Sequence, residues 1–147
     1  MSGITTTKKK QNIRLVIATH KKYQMPVDQI YFPLHVGAAG KLPIGYQGDN
    51  IGDNISTMNP YFCELTGMYW AWKNLECDYL GLVHYRRHFC YKKKGDKWNS
   101  ILNDNEAQNL CAQYDIILPA KRRYVIETLY SHYGHTHYEE HLDITKT

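Results

Sequence analysis

The chain lacks the marks of several protein classes. Only four of its 147 residues are cysteines, and no Cys-x-x-Cys pair occurs, which argues against a zinc ribbon. No apolar run approaches the roughly 20 residues of a membrane-spanning helix, and the polar N-terminus has no apolar core of a secretory signal. We therefore expect a cytoplasmic protein whose cysteines are reduced.

The composition predicts one folded domain with a mildly basic surface. Hydrophobic residues make up 43% of the chain, enough for a core, and the net charge is +4. Lysine and arginine cluster at 8–10, 92–94 and 121–123. Such clusters attract anionic ligands or an anionic membrane surface, or are simply solvated charge. No nucleic-acid-binding motif accompanies them, so we expect no nucleic-acid partner.

Strand and helix patterns alternate along the chain. We predict a flexible tail at 1–11 and a folded domain at 12–147, with no internal repeat. Alternating strands and helices predict an α/β domain with a mostly parallel sheet flanked by helices. The predicted strands are 13–18, 31–36, 79–83 and 115–118, the helices 59–74 and 104–114, and the long surface loop 41–59.

The helix predicted at 59–74 has recognisable start signals and one apolar face. Asn59 is expected to cap it, and Pro60 suits its first turn. Four large apolar residues recur at helical spacing and predict the buried face. They are Leu65, Met68, Tyr69 and Trp72.

Polar residues follow two predicted strands where each strand ends. Thr19, His20 and Lys21 follow the first, and the run His84-Tyr-Arg-Arg-His88 follows the third. Open α/β sheets bind ligands at the carboxyl ends of their strands. Guanidinium matches phosphate geometry, so adjacent arginines suit a phosphorylated ligand, although both can share one phosphate only if the chain turns there. A surface cluster of ion pairs is the alternative interpretation.

Two further groups of residues have metal-ligand chemistry. His137 and His141 are four residues apart with Glu140 beside them, and Asp49 and Asp53 are also four apart in the loop. Solvated polar residues explain both groups at least as well, because neither has the spacing of an established metal motif. Asp49 and Asp53 could instead bind sugar hydroxyls or ribose.

Long motifs in order along the chain resemble a known family. Together with 13–21 and 114–119, they are similar to the bacterial glycosyltransferase-like family linked to capsular and exopolysaccharide biosynthesis, a domain of formerly unknown function. The resemblance covers about residues 13–142. Its motifs are Gly52-Asp-Asn-Ile-Ser56, Asn59-Pro-Tyr-Phe-Cys-Glu-Leu-Thr66, Tyr69-Trp-Ala-Trp-Lys-Asn74 and Tyr79-Leu-Gly-Leu-Val-His-Tyr-Arg-Arg-His-Phe89.

The resemblance implies a GT-A-like, Rossmann-like fold, incomplete at its C-terminal side because family members usually continue further. It implies transfer of a sugar from a nucleotide-diphosphate donor to a saccharide or lipid-linked acceptor, at the cytoplasmic face of the membrane. The alternative is an inactive fragment that binds nucleotide or saccharide. In a shortened chain, an apolar face that the missing C-terminal part normally covers would be exposed, and this exposure would favour self-association into oligomers.

The resemblance also suggests residue roles. We expect metal-independent binding of the diphosphate, with a divalent cation as the alternative, because arginine can neutralise a leaving diphosphate directly. Asp53 and Glu64 are the candidate catalytic bases. The candidate donor-binding residues are Thr19, His20, Lys21, Asn54, Thr66, Lys73, His84, Tyr85, Arg86 and Arg87.

Overall fold

The computed structural model describes residues 9–121 together with Thr128 and Ser131. The chain divides into two compact units, Met1–Ile117 and Leu118–Thr147. In the second unit, Thr128 and Ser131 hydrogen-bond each other through side chains and backbone.

A parallel sheet of four strands forms the centre of the first unit. The spatial order is β3-β2-β1-β4, and each neighbouring pair is parallel. The sheet confirms the predicted α/β class and the first three predicted strands. The strands are β1 (Ile13–Thr19), β2 (Tyr31–His35), β3 (Gln47–Gly48) and β4 (Tyr79–His84).

Two sequence predictions about strands and loops are wrong. No strand forms at 115–118, where Ile116 is 78% and Leu118 79% exposed, and none of the described strands pairs with this run. The predicted surface loop at 41–59 contains β3 and a 3₁₀ helix at Ser56–Met58. Both are too short to give a periodic pattern.

Both faces of the sheet are covered. Side chains alternate along β1, so Leu15 and Ile17 contact one apolar cluster and Val16 and Ala18 the other. Burial on both faces explains why β1 is a nearly continuous apolar run rather than an alternating one.

The helix predicted at 59–74 is two helices, α1 (Asn59–Phe62) and α2 (Leu65–Asn74). Pro60 lies in the first turn as expected, but Asn59 is not the cap, because Met58 holds that position. The Asn59 amide instead donates to the carbonyl of Cys63, 2.7 Å away, and to the hydroxyl of Thr66, 3.1 Å away. These bonds satisfy the Cys63 carbonyl and the Thr66 hydroxyl at the break between α1 and α2.

The predicted apolar face of α2 is wrong. The helix buries Thr66, Gly67, Trp70 and Ala71, whereas Trp72 is 65% exposed. A Cβ at position 67 would lie 2.7 Å from Val36, so glycine permits the close approach of helix to sheet. The small residues Gly67 and Ala71 therefore allow their face of α2 to pack against the sheet. A prediction from the spacing of large apolar residues selects the opposite face of the helix.

The helix α3 (Asp104–Cys111) begins at a capping box formed by Asn103 and Glu106, which confirms the start of the second predicted helix. Gln11 exchanges two hydrogen bonds with Gln108 on this helix. The last residue of the predicted tail is thus held against α3.

A buried carboxylate, Asp49, connects the segments around the carboxyl ends of the strands. It is fully buried and accepts hydrogen bonds from the backbone amides of Gly37 and Ala38 and from the hydroxyls of Ser56 and Thr66. The loop after β2, the 3₁₀ helix and α2 are therefore joined through one side chain. Expectations of a solvated turn residue or a cation ligand at position 49 are both wrong, because its oxygens are occupied by these four donors.

We predict that Asp49→Asn lowers the free energy of unfolding by about 3 kcal/mol or more. The amide group presents N–H atoms to donors, and each buried donor left unsatisfied costs about 1–3 kcal/mol. Urea unfolding measures the loss. The matched control is Asp115→Asn on the exposed surface, which should change stability by less than about 0.5 kcal/mol. Equal losses in the two variants would contradict the assigned role of Asp49.

Candidate functional site

The carboxyl ends of three parallel strands meet at one edge of the sheet. Thr19 at the end of β1 pairs in register with His35 at the end of β2, and Ala18 pairs with His84 at the end of β4. The Tyr85 amide continues the ladder by donating to the carbonyl of Ala18 at 3.1 Å. The residues after each strand therefore surround one surface, which we call the strand-end surface.

Tyr85 is the anchor of the strand-end surface. It is 2% exposed, and the ring of His20 meets it edge-on at 5.3 Å between centroids. The Lys21 ammonium lies 5.6 Å and the Arg86 guanidinium carbon 5.3 Å from its ring centroid. Tyr85 thus holds three predicted donor-binding side chains around itself, through ring and cation–π contacts.

The chain turns sharply after β4. The Arg87 amide donates to the carbonyl of His84 at 2.9 Å, and the His84 amide donates back to the carbonyl of Arg87 at 3.2 Å. Arg86 and Arg87 are exposed at the tip of this turn. Because the chain turns here, both guanidinium groups can reach one ligand. Within residues 9–121, no carboxylate lies within ion-pair distance of either.

His84 connects the arginine turn to the start of α2. Its Nδ1 accepts a hydrogen bond from the Arg86 amide at 3.2 Å, and its Nε2 lies 3.7 Å from a carboxylate oxygen of Glu64. Burial lowers the pKa of His84, and the nearby arginines lower it further against the opposing effect of Glu64. The neutral ring can accept from Arg86 and direct its N–H toward Glu64.

The backbone is strained immediately before Glu64. Cys63 has φ of 48° and ψ of −127°, a conformation that glycine adopts easily and other residues rarely. Such strain costs about 1–3 kcal/mol and is often found at functional sites. Here it separates α1 from α2 and places Glu64 at the N-terminus of α2.

His35 belongs to the strand-end surface and was missed by the sequence analysis. It is 3% exposed at the end of β2. Burial lowers its pKa, and Lys41 and His20 lower it further, whereas Asp49 acts in the opposite direction. Its position two residues before Gly37 was the available signal, because a glycine after a strand often marks a turn at a ligand-binding edge.

Three predicted site residues have structural hydrogen bonds instead of free polar groups. The Thr19 hydroxyl is buried and donates to the carbonyl of Lys21 at 2.6 Å. Thr66 is held by Asp49, and Asn54 bonds within its own turn, to Gly52 and Ser56. These residues shape the surroundings of the site.

Asp53 and Lys73 lie apart from the arginine turn. The Tyr69 hydroxyl donates to Asp53 at 3.0 Å, and Asn74 bonds the Asp53 backbone. These contacts place Asp53 beside the last turns of α2, whereas Glu64 stands at its first turn. Asn74, which bonds the Asp53 backbone, lies ten residues after Glu64, or about 15 Å along a helix. The structure therefore separates the two candidate bases.

Within residues 9–121, no three His, Cys, Asp or Glu side chains come together as a metal site. Asp49 is unavailable because its oxygens accept from four protein donors. His137 and His141, with Glu140, lie outside the described residues.

We predict that the fold loses stability as the pH falls below about 6.5, the usual pKa of histidine. Burial lowers the pKa of His35, His84 and His88, so the unfolded chain binds more protons in this range. Both ring nitrogens of His88 are buried, and neither has a hydrogen-bond partner among the residues that the structure describes. His88→Phe should therefore lose less unfolding free energy than the wild type between pH 6.5 and 5.5. An unchanged loss in His88→Phe would contradict this assignment.

The chain resembles one solved glycosyltransferase over part of its length. The apo structure of the bifunctional glycosyltransferase WbbM is 43% identical over 59% of this chain, with a TM-score of 0.53. The matched part is 16% of that protein, so this chain corresponds to a small portion of it. No curated protein matches the chain. In the described part, no helix is long and apolar enough to cross a membrane.

The family comparison covers nearly the whole chain. The sequence pattern described as "Domain of unknown function (DUF4422)" matches residues 14–147, which include the strand-end surface and all of α2. The chain therefore belongs to the DUF4422 family.

Proposed function

We propose that the chain is the donor-binding part of a glycosyltransferase and that its strand-end surface binds the diphosphate of a nucleotide sugar. One observation carries the proposal: Arg86 and Arg87 are exposed at one turn, at the carboxyl end of β4 beside the central strand β1, without a carboxylate partner in residues 9–121. Unpaired guanidinium groups in this position favour an anion with several oxygens. The partial similarity to WbbM supports the reaction class.

The surroundings of the arginine turn favour a nucleotide over inorganic phosphate. His20 and Lys21 extend the polar surface toward the end of β1, and Lys97 adds an ammonium that donates to the Arg86 carbonyl at 3.2 Å. A diphosphate could contact the arginines while the nucleoside lies along β1. Exposed Tyr23, whose ring is 5.1 Å from that of Tyr85, offers an aromatic surface there.

The proposed chemistry needs charge stabilisation at the leaving group. When the bond between the sugar and the diphosphate breaks, negative charge grows on the departing oxygen. Arg86 and Arg87 can stabilise that charge without a metal ion, because fixed cations act where charge develops. Metal independence is part of the proposal, and ligand binding in the presence of EDTA tests it.

The geometry favours Glu64 over Asp53 as the base that takes the proton of the acceptor hydroxyl. Glu64 lies 3.7 Å from His84, which bonds the arginine turn, and its side chain is 43% exposed. Asp53 is bonded through its backbone to Asn74 at the other end of α2, and its carboxylate accepts from Tyr69. Glu64 therefore belongs to the proposed reaction centre, and Asp53 to a different surface.

The second candidate function is nucleotide binding without transfer. The observation in its favour is that the chain matches 16% of the length of WbbM.

The transferase proposal also includes a saccharide or lipid-linked acceptor and a location at the cytoplasmic face of the membrane. Exposed Lys92, with its ammonium 5.3 Å from the Tyr91 ring centroid, offers one contact for anionic lipid.

We predict that nucleotide binding depends on the arginine turn and not on metal. In calorimetric titrations of nucleoside diphosphates and nucleotide sugars, the best ligand of the wild type should bind equally with and without EDTA. Arg86→Ala/Arg87→Ala should weaken binding at least about 100-fold, because two charge-assisted contacts are each worth about 1.5–3 kcal/mol.

The control variant is Lys92→Ala/Lys93→Ala, which removes the same charge from the exposed loop after the site. Its affinity should stay within about threefold, since these exposed charges lie outside the arginine turn and act only through screened attraction. Equal weakening in both double variants would show general attraction by net charge. Absence of binding by folded wild type would contradict the donor-site proposal.

We predict that Glu64→Gln keeps donor affinity and loses transfer. The amide preserves size but cannot accept the acceptor proton, and general-base catalysis contributes about 10²–10⁴-fold in rate. Release of nucleoside diphosphate from the bound donor, followed with saccharide acceptors, measures the effect. Asp53→Asn should retain more of the rate. Transfer that survives Glu64→Gln would remove Glu64 from the mechanism, and binding without turnover in the wild type would favour the second candidate function.

A further inference from the structure

The outward face of α2 carries aromatic and apolar groups that the fold does not bury. Leu65 is 57%, Trp72 65% and the nearby Ile51 64% exposed. Leu65, Tyr69 and Trp72 follow helical spacing and share one stripe on this face. Exposed aromatic patches with polar neighbours often mark binding surfaces.

Polar groups are fixed around the indole of Trp72. The Lys73 ammonium lies 3.8 Å from its ring centroid, and the Tyr69 ring stands nearly perpendicular at 5.9 Å. The Tyr69 hydroxyl donates to one oxygen of Asp53 at 3.0 Å. This bond to a carboxylate raises the pKa of Tyr69, which keeps the phenol protonated as a donor. We call Asp53, Tyr69, Trp72 and Lys73 the helix platform.

The helix platform is rigid because α2 holds the loop beneath it. The Trp70 indole donates to the carbonyl of Ile51 at 2.6 Å. Asn74 donates to the Asp53 carbonyl at 2.8 Å and accepts from its amide at 3.2 Å. Three hydrogen bonds from two helix side chains therefore fix Asp53 relative to Trp72, so little order must be gained when a ligand binds.

The chemistry of the helix platform selects among partners. The second carboxylate oxygen of Asp53 and the Lys73 ammonium have no hydrogen-bond or ion-pair partner in residues 9–121. A purely apolar partner would bury both charges without compensation. A pyranose presents C–H groups on one face, which can stack on the side of the indole that Lys73 does not cover, and hydroxyls at its edge, which can donate to Asp53.

We propose that the helix platform is a saccharide-binding subsite for an oligosaccharide acceptor. The saccharide-binding part of this inference stands alone, whereas its role as an acceptor subsite rests on the proposed function. The stripe from Leu65 to Trp72 leads away from Glu64 over about 12 Å. One monosaccharide cannot cover this distance, so the ligand is an oligosaccharide whose reacting end lies at Glu64 and whose distal sugar stacks on Trp72.

The test uses the full chain and an array of bacterial cell-surface oligosaccharides, followed by titration of the strongest binder. Trp72→Ala should weaken that binding at least about tenfold, as expected for a central aromatic contact. Trp72→Phe, which keeps a stacking ring, should recover part of the affinity. Tyr114→Ala is the matched control, since Tyr114 is 54% exposed elsewhere and should not affect binding.

Nucleotide titration of the same variants separates this inference from the proposed function. Trp72→Ala should bind the nucleoside diphosphate as the wild type does, which also shows that the variant is folded. Saccharide binding that depends on Trp72 supports the helix platform, even if no nucleotide binds. Nucleotide binding without any Trp72-dependent glycan binding would overturn it. A dimer in light scattering that Trp72→Ala dissociates, without glycan binding, would identify a second copy as the occupant and also overturn it.

Discussion

The arrangement around the strand ends depends on one buried carboxylate. Asp49 accepts from two backbone amides after β2 and from the hydroxyls of Ser56 and Thr66. Burying a carboxylate is costly unless its oxygens are hydrogen-bonded, so this position constrains all four donors at once. Gly37 belongs to the same constraint, because its φ is 61° and a Cβ there would overlap Asn59. The loop after β2 and the start of α2 are thereby fixed beside His35 and Glu64.

The helix α2 relates the strand-end surface to the helix platform. Its first turn carries Glu64 toward His84 and the arginine turn, and its last turns present Trp72 and Lys73 to solvent. Its buried side keeps small residues against the sheet, while Trp70 stacks on Phe32 at 5.9 Å. One helix can therefore position a reacting group at one end and a saccharide contact at the other. In the proposed enzyme, this spacing would decide the length of acceptor that reaches the donor.

The sequence predicted the strands and the polar strand ends well, because long apolar runs and abrupt polar stops are local signals. The strand predicted at 115–118 is wrong because strand pairing depends on a neighbouring strand, which the local sequence pattern does not reveal. The prediction of the buried face of α2 is wrong because Gly67 and Ala71 contribute little hydrophobicity, yet they decide how closely the helix approaches the sheet. Asp49 resembled a solvated turn residue because its four donors come from segments distant in sequence. The separation of Asp53 from Glu64 could not be predicted from the sequence either, because both residues lie in motifs that are close along the chain.

The most direct test of the donor-site account is a crystal structure of the chain with the nucleoside diphosphate that binds best, grown without divalent cations. The account predicts that the diphosphate oxygens lie within hydrogen-bond distance of the Arg86 and Arg87 guanidinium groups, with the nucleoside extending toward His20 and Lys21. A nucleotide bound elsewhere, with both arginines still facing solvent, would contradict it.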